Sequence, residues 1–357
     1  MRNKNTLFTV GPVEMYPESL KIEGTQPPYF RTNEFSELML DIEKYFINSI
    51  FASNKTKFVC LTSSGTGAME AVVINALNKN DKVLIINGGS FGNRFKQICE
   101  LHQIPNDEYF IPYGFSFDKS EFEKFNNSGY TALLVNACET STGQKYDLDY
   151  LGAFCKKNNI TFIVDAVSAY LADPIYMEKQ NIDILLTASQ KALALSPGLA
   201  LIALSEKVYE ERILKNKKAS YYFDFEDYIE NQKRGQPPFT SAVSIVLSLH
   251  QRLEKINQNG VESEWITHKR RAEYFRKNII SLPLKLPSFD MSNCCTSLLF
   301  DDINAFDLYE NLKKQDGIFL TPSGGEIKAK QLRVGHLGNL SFDDYDYLIE
   351  KLGEKLI

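Results

Sequence analysis

The sequence predicts an α/β protein, with a mainly parallel sheet in a large domain and a smaller α+β domain at the C-terminal end. Short apolar runs alternate with segments of helical periodicity over most of the chain, which is typical of a parallel sheet covered by helices on both faces. The runs are almost continuously apolar, as strands buried on both faces are. A length of 357 residues is enough for two domains.

The N-terminal segment predicts an irregular arm followed by an amphipathic helix. Gly11-Pro12 and Pro27-Pro28 interrupt any early helix, and Phe8–Pro12 is predicted to be a short extended segment. Apolar residues then recur at helical spacing from Glu34 to Phe51. We therefore assign residues 1–19 to an N-terminal arm that precedes the large domain.

The alternation that follows predicts the strands and helices of the large domain, residues 20–255. Each predicted strand is a run of five or six mostly apolar residues that is bounded by polar or turn-forming residues. The predicted strands are 58–62, 82–87, 131–136, 161–165, 182–186 and 199–204, and the helices among them are 66–77, 93–103 and 148–158.

The last part of the chain, residues 256–357, predicts a small α+β domain. An irregular tyrosine-rich segment and a helix over 241–257 come before it. Within it we predict a helix that ends near Ile280, strands at 294–300 and 331–334, and helices over 305–314 and from residue 342 onward.

Composition and charge narrow the class of protein. A formal charge of −5 gives no basic field, so we expect no nucleic-acid partner. No apolar run approaches the roughly 18 residues of a membrane span, and no apolar signal core follows Met1, so we expect a cytoplasmic protein without a membrane partner. The six cysteines and four histidines show no metal-ligand spacing, so the sequence predicts reduced cysteines and no metal site.

Lys191 lies between two apolar runs, in a small-residue segment that ends at Pro197-Gly198. Burying an ammonium group is costly unless its pKa falls or chemistry consumes it, and a lysine of lowered pKa is suited to Schiff-base formation. Lysines are nevertheless mostly exposed, so this residue alone is more simply read as a surface lysine of a connecting loop.

Polar segments follow the other predicted strands, and ligands bind at the carboxyl ends of strands in a sheet of this kind. Ser63–Gly67 is rich in hydroxyls and glycine before a helix, which suits a phosphate group or a plain helix cap. Phe91, in the next loop, suits two roles: its ring can contact a planar ligand, or it can pack in the core. Ala137–Gly143 carries one carboxylate and three hydroxyls, and Asp165 ends a buried strand, where it is either functional or capping.

Taken together and in this order along the chain, these features favour a catalytic site over a separate structural role for each of them. A phosphate-binding turn, an aromatic plate, a hydroxyl-bearing loop, a buried aspartate and a lysine all fall on one edge of one predicted sheet. These are the parts that pyridoxal 5′-phosphate requires, because it needs a Schiff-base lysine and an acidic partner for its ring nitrogen.

The motifs at these positions resemble those of the class V aminotransferases, a family of fold-type-I pyridoxal-phosphate enzymes. The resemblance covers nearly the whole chain. It is most specific in Glu139–Gly143, Val164–Ser168, Ser189–Ala192 with Pro197-Gly198, and Arg333–Gly338. It implies the fold-type-I architecture, a homodimer with shared active sites, and pyridoxal 5′-phosphate as cofactor.

The resemblance also implies a role for each matching residue. Lys191 would form the Schiff base and move a proton, and Asp165 would pair with the ring nitrogen. Arg333 would bind the α-carboxylate of the substrate, and Arg31 is a further candidate substrate-binding residue. The remaining cofactor-binding candidates are Phe91 and Val167 on the two ring faces, Thr140 as a hydrogen-bond partner, Ser64, Gly65, Thr66 and Gln190 at the phosphate, and Thr240 at the phosphate of the neighbouring subunit.

The expected activity is transfer of an amino group from a small amino acid to a small 2-oxo acid such as pyruvate or glyoxylate. Phe30-Arg31 resembles the serine–pyruvate and alanine–glyoxylate branch, where histidine usually precedes the arginine, whereas Phe239–Ser241 is closer to the 2-aminoethylphosphonate–pyruvate branch. A lyase or decarboxylase with the same cofactor and a catalytically idle homologue remain alternatives. The absence of a cysteine just after Arg333 argues against a desulfurase.

Overall fold

A seven-stranded sheet forms the centre of the large domain in the computed structural model, which describes residues 5–356. The strand order is β2-β10-β9-β8-β5-β3-β4. These strands are β2 (Lys57–Thr62), β3 (Val83–Asn87), β4 (Asn106–Phe110), β5 (Ala132–Asn136), β8 (Thr161–Asp165), β9 (Ile184–Ala188) and β10 (Leu199–Leu204).

Only β10 runs against its neighbours, because it pairs antiparallel with both β2 and β9 while the other pairings are parallel. The carboxyl ends of β2, β3, β5, β8 and β9 therefore meet at one edge of the sheet. The predicted mainly parallel sheet is confirmed, and so is the shared edge for the loops that follow these strands.

Consecutive residues of the central strands face opposite cores, as the two-residue period of a strand requires. In β5, Leu133 packs on one face of the sheet and Leu134 on the other. In β8, Phe162 and Ile163 divide in the same way. The strands read as continuous apolar runs because both faces are covered by helices.

Nine α-helices and three very short strands lie outside the central sheet between residues 5 and 259. Ser64, Asp118, Asp147 and Asp224 cap the N-termini of four of these helices with side-chain oxygens. The helices are α1 (Pro17–Glu23), α2 (Asn33–Ser49), α3 (Gly65–Ala76), α4 (Ser90–Leu101), α5 (Lys119–Phe122), α6 (Leu148–Asn158), α7 (Glu206–Val208), α8 (Phe225–Gln232) and α9 (Val243–Asn259), and the strands are β1 (Thr6–Leu7), β6 (Cys138–Glu139) and β7 (Gln144–Lys145).

The C-terminal part has its own three-stranded antiparallel sheet in the order β11-β14-β13 and its own apolar cluster. Residue Phe8 of the N-terminal arm packs in that cluster, and β1 pairs in parallel with β12. The elements are α10 (Glu262–Asn278), β11 (Cys295–Leu299), α11 (Ala305–Asp316), β12 (Ile318–Phe319), β13 (Thr321–Pro322), β14 (Gln331–Gly335) and α12 (Phe342–Leu356).

The arm therefore reaches across the molecule to the C-terminal sheet. The domain limits at 19/20 and 255/256 stay predictions, and their outermost residues, 1–4 and 357, lie outside the described part of the chain. Among the helices formed by residues 5–356, none combines the length and the apolar character that crossing a lipid bilayer requires.

Candidate active site

The loops at the carboxyl edge of the sheet surround a cavity of about 480 Å³ when its open mouth is included. Contributions come from the loops after β2, β3, β5, β8 and β9, as the alternation of strands and helices predicted. The lining residues are Ser64, Gly65, Thr66, Met69, Phe91, Arg94, Cys138, Thr140, Asp165, Val167, Ser168, Gln190 and Lys191.

Lys191 is buried, with 7% of its surface exposed, and is held by a turn that follows β9. The Ser189 hydroxyl closes this turn, because it donates to the Ser196 carbonyl at 2.7 Å and accepts from the Leu199 amide at 3.2 Å. Burial lowers the pKa of the Lys191 amine below its ordinary value, although nearby thiols and Asp165 oppose the shift. The lowered pKa makes the uncharged, nucleophilic form of this amine more accessible than that of an ordinary lysine.

The N-terminal arm closes over Lys191. The Lys191 amine donates a hydrogen bond to the carbonyl oxygen of Val10. Next to it, Gly11 has a φ of +124°, and a Cβ on this residue would lie 2.6 to 2.8 Å from the outer atoms of the Lys191 side chain. Only glycine leaves room for the lysine here. The sequence predicted an extended arm but gave no signal that it covers the lysine.

Asp165 ends β8 and points its carboxylate into the cavity wall. It accepts hydrogen bonds from the Asn136 side chain at 2.6 Å and from the Val167 amide at 2.8 Å. Burial raises the pKa of this carboxyl to about 6, and the two hydrogen bonds oppose the rise. A cationic partner in the cavity would stabilise the ionised form.

The first turn of α3 forms part of the cavity wall. The Ser64 side chain accepts from the Gly67 amide at 3.3 Å as the cap of this helix. A Cβ on Gly65 would lie 2.9 Å from a methyl group of Val167, so glycine allows the helix N-terminus to approach that side chain. The positive end of the α3 dipole and two hydroxyl-bearing residues, Ser64 and Thr66, therefore face the cavity, which suits an anionic group.

Arg94 is a cavity residue that the sequence did not point to. Its guanidinium donates to the Thr66 hydroxyl at 2.9 Å and lies over the ring of Phe91, 4.7 Å from the ring centre. It adds a positive charge beside the helix N-terminus. Its position three residues after Phe91 on a helix places both side chains on one face, which is the signal that could have identified it.

Glu139 has a structural role at the start of α4. Its buried carboxylate accepts hydrogen bonds from the amides of Phe91 and Gly92 at 3.2 and 2.9 Å. The Ser141 amide donates to the same group at 3.1 Å. A carboxylate at a helix N-terminus is stabilised by the helix dipole, so Glu139 fixes the helix that carries Phe91.

Arg333 on β14 is buried and lies behind the loop that carries Thr140. It donates to the carbonyls of Thr140 and Pro322, both at 2.9 Å, while its Nε has no hydrogen-bond partner among residues 5–356. The Thr140 hydroxyl in turn donates to the Ser168 hydroxyl at 2.7 Å. Arg333 borders a second cavity of about 950 Å³ between this loop and residues 323–327.

Arg31 and Thr240 are not among the residues that line the 480 Å³ cavity of the described chain. The Arg31 guanidinium donates to the Gln236 side chain and to the carbonyls of Pro237 and Pro238, at 3.2, 2.7 and 3.1 Å. Thr240 is exposed two residues further along the same loop. In the single chain, Arg31 thus anchors the segment that ends in Thr240.

The chemistry of the cavity fits pyridoxal 5′-phosphate. It offers an amine of lowered pKa, a buried carboxylate, a helix N-terminus with hydroxyls and a guanidinium, and an aromatic face. The side-chain oxygen of Gln190 is buried without a partner within the described residues, so it is available to accept a hydrogen bond from a ligand. The eight predicted positions Ser64, Gly65, Thr66, Phe91, Thr140, Val167, Gln190 and Asp165 surround Lys191.

Comparison with solved structures shows the same fold in alanine–glyoxylate aminotransferase from Nostoc sp., with a TM-score of 0.92, 24% identity, and coverage of 100% of this chain and 96% of that one. The fold is therefore that of the fold-type-I pyridoxal-phosphate enzymes.

Residues 26–339 match the model of the family "Aminotransferase class-V", and the chain belongs to this family. Class V aminotransferases use pyridoxal 5′-phosphate, which is therefore the cofactor.

Two curated relatives align over nearly the whole chain. Alanine–glyoxylate aminotransferase of Callithrix jacchus is 28% identical over 369 residues, which cover 98% of this chain and 87% of the relative. The small subunit of a soluble hydrogenase of Synechococcus sp. is 28% identical over 349 residues, which cover 95% and 89%. Because these names differ, the reaction of the present chain has to be argued from its own site.

Proposed function

We propose that the enzyme transfers an amino group from a small amino acid to a small 2-oxo acid, with pyruvate or glyoxylate as acceptor. The observation that carries the proposal is the pairing of a buried lysine of lowered pKa and a buried aspartate in one cavity, with the buried guanidinium of Arg333 beside it. The candidate donors are alanine, serine and 2-aminoethylphosphonate. The name of the alanine–glyoxylate relative supports the same size of substrate.

In this proposal Lys191 acts as a nucleophile and then as a general acid and base. When bound, pyridoxal phosphate supplies an aldehyde that bonds to amines and a ring that withdraws electrons from the α-carbon of the substrate. The uncharged Lys191 amine is the group that bonds to the aldehyde. With substrate bound, the Lys191 Nζ would be the group that accepts and returns the proton of the substrate α-carbon.

Asp165 keeps the cofactor ring nitrogen protonated. The hydrogen bonds from Asn136 and Val167 orient the carboxylate, and the burial that raises its pKa also strengthens its attraction to a nearby cation. Formation of that ion pair offsets the cost of burying the carboxylate.

Arg333 is the proposed anchor for the substrate carboxylate. A guanidinium binds a carboxylate through two parallel hydrogen bonds, which sets both position and orientation. The Nε has no hydrogen-bond partner among residues 5–356, and the other two contacts of the guanidinium are to uncharged carbonyls, so its charge is available to an anionic ligand. Since Arg333 is buried, an unpaired cation at this position favours an anionic ligand.

Phe91 and Val167 are proposed to hold the two faces of the cofactor ring, with Thr140 as a hydrogen-bond partner and Ser64, Gly65, Thr66 and Gln190 around the phosphate. Arg94 adds a cation to the phosphate side through its contact with Thr66. The arm at Val10 and Gly11 shields the Lys191 amine from water. Exclusion of water strengthens each of these electrostatic contacts.

The enzyme is further proposed to be a homodimer in which Thr240 reaches the cofactor phosphate of the partner subunit. Three observations support this: Thr240 is exposed, the preceding residues are fixed by Arg31, and Tyr221, in contact with Phe239, is 86% exposed. All six cysteines are free, which supports a cytoplasmic location.

The test is a screen of amino donors that follows the visible absorbance of the bound cofactor. Alanine, serine and 2-aminoethylphosphonate are each added to the purified holoenzyme without an acceptor. We expect at least one donor to convert the visible band to the pyridoxamine form, and pyruvate or glyoxylate to restore it. Release of carbon dioxide or ammonia without this conversion would replace the transaminase by a lyase.

A further inference from the structure

Three cysteines from two distant parts of the chain, Cys138 and the adjacent pair Cys294 and Cys295, meet behind the cofactor cavity. The Cys138 and Cys294 sulfurs are 3.5 Å apart, and the Cys294 and Cys295 sulfurs are 3.6 Å apart. All three sulfurs lie within 4.8 Å of one another. The residues are 4%, 0% and 0% exposed, so the cluster is shielded from bulk solvent.

The spacing of the sulfurs is close to that of a metal–thiolate site. With metal–sulfur bonds of about 2.3 Å, trigonal or tetrahedral coordination places the sulfurs roughly 3.8 to 4.0 Å apart. The two measured contacts of 3.5 and 3.6 Å are a few tenths of an ångström shorter, and 4.8 Å bounds the third distance. To match this coordination, the distances between the sulfurs need to change by at most about 1 Å.

The surroundings of the cluster supply positive charge that thiolates can balance. Arg276 donates to the carbonyls of Ser292 and Cys295 at 2.6 and 3.0 Å and to the Thr296 hydroxyl at 2.9 Å. These acceptors carry no charge, so hydrogen bonding does not neutralise the guanidinium. The charge of Arg333 also acts on the cluster.

We propose that Cys138, Cys294 and Cys295 form a binding site for a thiophilic divalent ion of the Zn²⁺ type. Thiolates are soft ligands and select zinc and cadmium over magnesium or calcium. Three thiolates and one divalent ion carry a net charge of −1, which the adjacent guanidiniums stabilise. Each thiol that binds the ion releases its proton to solvent.

The site joins two parts of the molecule and borders the proposed catalytic cavity. Cys138 belongs to β6 in the large domain, whereas Cys295 begins β11 of the C-terminal sheet and Cys294 directly precedes it. Cys138 also lines the cofactor cavity, which provides a route for the ion. A bound ion would hold these segments together beside Lys191.

The experiment is a titration of the purified holoenzyme, and of the same protein after removal of the cofactor, with Cd²⁺. Cadmium thiolates absorb in the ultraviolet through charge transfer from sulfur, so binding is seen without an assay of activity. We expect a band that saturates at one equivalent per chain and that Zn²⁺ competes away. Binding to the cofactor-free form alone also supports the site and identifies the cavity as the route.

The substitutions Cys138→Ser, Cys294→Ser and Cys295→Ser should each weaken Cd²⁺ binding at least tenfold and reduce the band. Cys155→Ser, at a buried cysteine on α6 outside the cluster, should leave both unchanged. X-ray absorption at the cadmium edge of the wild-type protein should show three sulfur neighbours, which requires no variant to fold. Lack of the band in both forms of the wild type, or a shell without sulfur, would refute the metal site.

Discussion

The amine of Lys191 donates a hydrogen bond to the backbone carbonyl of Val10, a residue 181 positions earlier in the chain. The arm that carries Val10 is fixed at its other end by the pairing of β1 with β12 and by Phe8 in the C-terminal apolar cluster. The lysine is therefore positioned by both ends of the chain as well as by its own turn. Displacement of the arm should change the chemistry at the lysine.

The substitution Gly11→Ala should lower kcat about tenfold or more. The new methyl group would lie within 2.8 Å of the Lys191 side chain, and the φ of +124° disfavours any side chain. Steady-state kinetics and the visible absorbance of the cofactor measure the effect. Gly129→Ala is the matched control, since Gly129 also has a positive φ, +75°, but its added methyl would have no neighbour within 4 Å. Equal losses in the two variants would leave only backbone strain as the cause.

The substitution Lys191→Ala should abolish the visible absorbance band and reduce the rate by about 10²- to 10⁴-fold or more, because it removes the covalent attachment and the acid–base group together. Absorbance spectra of the reconstituted variant and rate measurements with the best donor test this. Lys156→Ala, at an exposed lysine of α6, should behave as wild type. A K191A protein with an unchanged visible band would show that another amine holds the cofactor.

Asp165 predicts a pH-dependent stability of the cofactor-free protein. Burial raises the pKa of this carboxyl from 3.8 to about 6 in the folded state, so its contribution to stability is present below the unfolded pKa and is lost as the pH rises through about 6. A shift of about two units corresponds to about 3 kcal/mol. Asp165→Asn removes this dependence, and the partnerless Asn136 side-chain oxygen can accept from the new amide after a flip.

Unfolding of both cofactor-free proteins in urea at several pH values measures this difference. The advantage of D165N over wild type should grow between about pH 4 and pH 7 and approach 3 kcal/mol. With the cofactor bound the order should reverse, because the variant loses the ion pair with the ring. A difference that stays constant with pH would mean that Asp165 does not titrate in this window.

The sequence predicted the buried part of the fold well because burial leaves a direct pattern. The strands that flank Lys191 are covered on both faces, so they appear as uninterrupted apolar runs. The edge strand β4, with the sequence Asn106-Asp-Glu-Tyr-Phe110, was missed because only Tyr109 is buried in it and its first three residues are polar. Propensity does not favour such a strand, and only its pairing with β3 produces it.

The site was predictable where a residue directly follows a strand, and not where distant segments meet. Asp165 and Lys191 follow from strand order and from the rule that ligands bind at carboxyl ends. The contact of Val10 with Lys191 and the meeting of Cys138 with Cys294 span 181 and 156 positions, and no local pattern encodes either. The sequence treated the cysteines as scattered because only tertiary packing brings these sulfurs together.

The substitution Arg333→Lys should raise KM for the amino donor about 10- to 100-fold, because a lysine replaces two charge-assisted hydrogen bonds by a single point charge. The cofactor spectrum should not change, since Arg333 lies outside the lining of the cofactor cavity. Arg271→Lys provides a buried control, because Arg271 donates to the Gly338 carbonyl at 2.8 Å within the C-terminal part of the chain. Arg271→Lys should lower the stability of the protein and leave KM unchanged. A similar KM for Arg271→Lys and Arg333→Lys would argue against Arg333 as the anchor of the carboxylate.

Two roles are open to Arg31, and each predicts a change in a different constant. The sequence assigned it to substrate binding, whereas its three hydrogen bonds to residues 236–238 fix the segment that leads to Thr240. If the second role dominates, Arg31→Ala should weaken cofactor binding about tenfold, as loss of charged hydrogen bonds does, and Thr240→Ala should weaken it similarly. The dissociation constant of the cofactor, measured by its absorbance, should then rise in both variants while KM changes little. A rise in KM with unchanged cofactor affinity in R31A would instead support direct contact with the substrate.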